Sequence, residues 1–65
     1  MYKVYWKRGK NRGSNGFFYG VFKGEKVLSR GFKPGKSLSN FKKNIDIVYR
    51  AEREKVKVNF IRITK

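Results

Sequence analysis

The chain has 65 residues, no cysteine and no histidine, and its 18 basic against 4 acidic side chains give a formal net charge of +14. That length holds one domain, residues 1–65, and the missing thiols and imidazoles exclude disulfides, thiolate metal centres, cysteine nucleophiles and the usual general base. The charge points to a polyanionic partner, because so unbalanced a compact domain repels itself until an anion binds and releases its counterions.

Residues 2–7, YKVYWK, alternate Tyr2, Val4 and Trp6 against Lys3, Tyr5 and Lys7, the period-two pattern of a strand with one buried face. The next stretch, KRGKNRGSNG over residues 7–16, holds four cations, three glycines and no apolar or acidic side chain. It reads as a flexible loop able to track a phosphate backbone, with Lys7, Arg8, Lys10 and Arg12 as first contacts, because glycine lets main-chain N–H groups approach an anion.

GFFYGVFKGEKVLSRGF then reads as two strands joined at Lys23-Gly24-Glu25-Lys26, which makes a three-stranded antiparallel meander. Phe17, Tyr19 and Val21 share one phase, and Phe18 and Phe22 share the other. Phe17, Phe18, Phe22 and Trp6 read as packing, since a core this small needs its large side chains. Tyr5, in phase with Lys3 and Lys7, is the first candidate for stacking on a nucleic-acid base, and Tyr19 is the second. Arg30 joins the candidate phosphate contacts from the third strand.

Lys33-Pro34-Gly35-Lys36 ends the meander, with Pro presetting φ and Gly free to take a left-handed one. A helix capped by Ser37 or Ser39 follows. Leu38, Phe41, Ile45 and Val48, with Ala51 beside them, form its apolar stripe, while Lys42, Lys43, Arg50 and Arg53 lie on its outer side as further phosphate contacts. VKVNFIRI is the last strand; its apolar phase slips between Phe60 and Ile61, which requires either a bulge or burial on both faces.

The expected fold is therefore α+β, a single small domain ordered β-β-β-α-β, with the helix packed on one sheet face. That order resembles the first half of a ribonuclease H-type fold, with three antiparallel strands, a helix and a parallel fourth strand. The resemblance implies a carboxylate cluster for two metal ions, drawn from the first strand, the helix and the fourth strand. Neither strand supplies one here, and Asp46 and Glu52 are the carboxylates of the helix. The expectation is a protein that is no enzyme and uses no metal or cofactor.

The resulting functional expectation is a nucleic-acid-binding protein of low sequence specificity, for DNA or RNA, with a homodimer as one way to cover the aromatic face. The alternative is a basic interaction protein, such as a phage-type inhibitor, docking on an acidic protein surface. GFFYGVF is too short to cross a bilayer and MYKVYWKRG lacks a signal-peptide core, so no membrane partner and a cytoplasmic location are expected, the host cytoplasm if the protein is phage-encoded.

Overall fold

The computed structural model describes residues 1–63. Three long strands, β1 (Tyr2–Asn11), β2 (Ser14–Lys23) and β3 (Lys26–Pro34), form the antiparallel meander. Two helices, α1 (Leu38–Asn44) and α2 (Asp46–Glu54), lead to β4 (Val58–Arg62), which pairs parallel to β1 and gives the sheet order β3-β2-β1-β4. The α+β class and the expected order of strands both hold.

The stretch read as a loop over residues 7–16 is instead the end of a hairpin. Lys7 pairs with Phe18, and the ladder continues without a break to Asn11 opposite Ser14. Two residues, Arg12 and Gly13, make the turn with φ of 52° and 82°. Positive φ at both positions gives a type I′ geometry, whose twist matches that of the flanking strands. The stretch contains no apolar side chain, yet rings from neighbouring positions cover two of its three glycines: Phe18 lies across Gly9 and Phe32 across Gly16. Strand formation here rests on backbone pairing and borrowed rings.

One sheet face carries the core. Tyr2, Val4 and Trp6 from β1 and Phe17 and Val21 from β2 are buried against Phe41, Ile45, Ile47 and Ala51 of the helical side. Phe41 sits at the centre of this packing, stacked on Phe17 at 4.5 Å and edge-on to Tyr19 at 5.8 Å. Aromatic pairs at such distances add to the stabilisation from burial.

Where the apolar spacing predicts one helix, the structure has two. Ser37 caps the first, its Oγ accepting from the Asn40 amide at 3.3 Å. Ile45 then takes an extended conformation, φ −82° and ψ 130°, and α2 starts at Asp46. In one continuous helix Ile45 and Ile47, two positions apart, would point to nearly opposite sides. The break turns both inward, and both are buried.

Lys55 ends α2 in a left-handed conformation, its amide donating to the Ala51 and Glu52 carbonyls. In β4 the phase slip resolves as burial on both faces: Val58 and Phe60 pack with the core, while Ile61 lies beside Tyr5 on the other side. Among the described residues no helix is long and apolar enough to cross a membrane.

Candidate nucleic-acid interface

The helices cover one face of the sheet, and the strand registers specify what stands on the other. Taken from β3 to β4, its first row is Val27, Phe22, Lys3 and Asn59, and its second is Arg30, Gly20, Tyr5 and Ile61. The third is Phe32, Phe18 and Lys7, and the fourth is Pro34, Gly16 and Gly9. Tyr5, Phe18, Phe22 and Phe32 are each half-buried.

Three glycines in this face seat three of the rings. A Cβ on Gly9 would come within 2.7 Å of Phe18, one on Gly16 within 2.5 Å of Phe32, and one on Gly20 within 3.3 Å of Phe22. The rings therefore lean over bare backbone. Phe18 and Phe32 meet at 4.8 Å, and Tyr5 and Phe22 meet edge to face at 5.4 Å, so the rings form two touching pairs.

A β-bulge completes the surface. The pairing shifts between Val21, opposite Ser29, and Phe22, opposite Val27, which leaves Leu28 as the extra residue. Leu28 packs against the core. Without that insertion Ser29 and Gly31 would follow Val27 onto the open face; with it, Arg30 and Phe32 do, beside Gly20 and Phe18.

Charge is divided between the two sides. Lys3, Lys7 and Arg30 stand among the rings, Arg12 lies in the hairpin turn, and Lys10 is in the strand phase of Arg8, on the helical side. Of the four acidic side chains, Asp46, Glu52 and Glu54 are on α2 and Glu25 is in the turn between β2 and β3. The ring-bearing face has none.

The remaining candidates lie away from those rings. Tyr19, the second ring expected to stack on a base, is on the helical face, packed on Phe41 with its hydroxyl over Gly31. Arg8 is on that face too, its guanidinium 4.9 Å from the centre of the Phe17 ring and its Nη1 donating to the Lys36 carbonyl at 3.1 Å. Lys42 lies over Phe60 at 5.4 Å. Lys43 and Arg53 are exposed on the helices.

Arg50 is held by Glu54, which accepts from its Nε at 3.0 Å and from the Tyr2 hydroxyl at 2.6 Å. Those bonds, from Tyr2 first and then Arg50, hold the Glu54 carboxyl below its ordinary pKa, and the same bond to Glu54 raises that of Tyr2. The twelve sequence candidates are thus not one site. Lys3, Tyr5, Lys7 and Arg30 share the open face, Arg12 adjoins it at the hairpin turn, and Arg8, Lys10, Tyr19, Lys42, Lys43, Arg50 and Arg53 belong to the helical side.

Phe18 and Phe22, which read as packing from sequence alone, and Phe32, which no sequence pattern singles out, all lie on the open face. A signal for two of them was present: Gly16, Phe18, Gly20 and Phe22 share one phase of β2, so small and large residues alternate along a single face.

Among the described residues no group of three or more His, Cys, Asp or Glu side chains is placed to hold a metal ion. Fold and surface together define a small α+β domain with helices on one sheet face and a basic, aromatic face on the other. Comparison with protein-family models, curated proteins and solved structures finds no match for this chain.

Proposed function

We propose that the protein is a non-enzymatic nucleic-acid-binding module that takes a single strand of DNA or RNA on its open sheet face. The observation that carries this reading is the combination on that face of four half-exposed rings, three interspersed cations and no acidic side chain. Bases stack on the rings of Tyr5, Phe18, Phe22 and Phe32, and phosphates meet Lys3, Lys7 and Arg30, with Arg12 extending the track at the hairpin turn.

Stacking is tolerant of sequence because every base has a π-face, so binding is expected to discriminate little between sequences. A duplex keeps its bases stacked on one another and offers this surface only its backbone. A second copy of the chain is a poorer occupant, because pairing face to face would bring Lys3, Lys7 and Arg30 of both copies together.

Ultraviolet crosslinking of a photoreactive oligothymidine tests the placement. Adducts are expected in the peptides carrying Tyr5, Phe18 and Phe32. Adducts confined to the helical peptide around Tyr49 would place the ligand on the wrong side for this reading.

A further inference from the structure

On the helical side of the hairpin end lies an open cavity of about 430 Å³, bordered among others by Arg8, Lys10 and Lys36 and by Gly9, Gly16 and Gly35. None of the four acidic side chains borders it. Three basic residues therefore border a space walled in part by glycine backbone, with no acidic residue beside them.

Arg8 is preorganised within it. The guanidinium rests against Phe17, itself stacked on Phe41 in the core, and one N–H is fixed to the Lys36 carbonyl. A guanidinium has five donors, so most of this fork stays free for an oxyanion, and little side-chain entropy remains to be lost when one binds. The Asn15 carbonyl at the rim accepts from the Gly35 amide at 3.0 Å. That oxygen and the Lys36 oxygen are thus both engaged by donors, which reduces their repulsion of an anion.

The cavity also adjoins the proposed strand path. Gly9, Gly16 and Pro34 form the fourth row of the open face, and the chain leaves β3 at Gly35, beside the cavity. That row carries little side chain, so a strand passing Phe18 and Phe32 can turn over it toward Arg8.

We infer that the cavity is a phosphate subsite: Arg8, Lys10 and Lys36 hold one phosphate group of the bound strand as it leaves the rings around the end of β3. The link to a strand rests on the single-strand reading; the oxyanion chemistry of the cavity does not. The phosphate is either an internal diester or a terminal monoester, and both present the same anionic oxygens.

The test follows backbone amide NMR shifts during titration with inorganic phosphate, together with the affinity for oligothymidine with and without a 5′-phosphate. Phosphate is expected to shift the Gly9, Gly16, Gly35 and Lys36 amides saturably in the natural protein and not in Arg8→Gln. Oligothymidine affinity of Arg8→Gln should fall about tenfold, as for loss of one charged hydrogen bond, and the log-log salt slope should become shallower by about 0.7.

Because Arg8 also packs on Phe17, the double variant Lys10→Gln/Lys36→Gln, made at two exposed side chains, repeats the test with less risk to folding. Tighter binding of the 5′-phosphorylated strand assigns the subsite to a terminal monoester, and equal binding assigns it to an internal diester. Absence of phosphate shifts at these amides, with both variants binding oligothymidine like the natural protein, overturns the subsite and leaves the single-strand reading standing. Phosphate shifts abolished by Arg8→Gln, in a protein that binds no oligothymidine, would support the subsite and remove the single-strand reading.

Discussion

The Phe18 ring lies across the backbone of Gly9 on the neighbouring strand, so close that a Cβ at residue 9 would stand 2.7 Å from its Cε2. The strand residue next along the same face, Lys7, is the register partner of Phe18. A ring, a cation and a bare stretch of backbone thus share one spot on the sheet. The missing side chain of Gly9 determines how flat the ring can lie.

Gly9→Ala and Gly16→Ala should separate stability from binding. At Gly9 the new methyl meets only the Phe18 ring, which can tilt; at Gly16 it meets the Lys33 carbonyl at 2.4 Å and the Pro34 Cα at 2.8 Å, which are backbone. Gly16→Ala should lose stability on the scale of overpacking, about 1–3 kcal/mol. Gly9→Ala should lose less and still weaken oligothymidine binding. Urea unfolding and binding isotherms on both variants check this.

Phenylalanines on opposite faces should behave as opposites. Phe18→Ala is expected to fold and to weaken single-strand binding by about 1–3 kcal/mol, the usual worth of one stacked base. Phe41→Ala removes the ring at the centre of the core, 3% exposed, at about 3–5 kcal/mol. A domain this short holds roughly 3–10 kcal/mol in all, so circular dichroism should find Phe41→Ala largely or wholly unfolded.

Arg12 occupies a left-handed conformation, φ 52°, at the first turn position. Asn favours that conformation before Gly, so Arg12→Asn should raise stability by up to about 1 kcal/mol. If Arg12 meets a phosphate, the same change should make the salt slope for a single strand shallower by about 0.7. Thermal melts and salt titrations of one variant report both effects.

Acid stability should depend on Glu54. Its carboxyl is held below its ordinary value of 4.5 by the Tyr2 hydroxyl and then by Arg50. Its contribution is therefore fully present above that value and fades as pH falls through the lower pKa of the folded state. Glu54→Gln should melt lower than the natural protein at neutral pH, and the gap should narrow as pH falls below 4.5. A gap that does not change with pH would assign the effect to packing.

Much of this fold was legible because its signals are local. Tyr2, Val4 and Trp6 alternate cleanly with Lys3, Tyr5 and Lys7, and Ser37 and Gly24 mark a cap and a turn. The hairpin over residues 7–16 was hidden because its cover comes from Phe18 and Phe32, across the sheet rather than along the chain. The helix break at Ile45 was hidden because 3-4-3 spacing suits one helix until Ile47 also needs burial.

Of the site, Tyr5 was readable from its phase with two lysines. Phe32 depended on a bulge at Leu28, which no pattern in VLSRGF announces. Tyr19 fell on the helical side because it shares the phase of Phe17, and that phase packs on Phe41.

The most direct measurement is fluorescence anisotropy of labelled oligothymidine and of a matched duplex at a series of salt concentrations, with the natural protein and Phe18→Ala. If about five phosphates are contacted, single-strand affinity should fall with a log-log salt slope near −3.5. The single strand should bind more tightly than the duplex, and Phe18→Ala should remove most of that preference. Equal binding of both forms, unchanged by Phe18→Ala and lost by physiological salt, would contradict single-strand recognition and direct the positive charge toward an acidic protein instead.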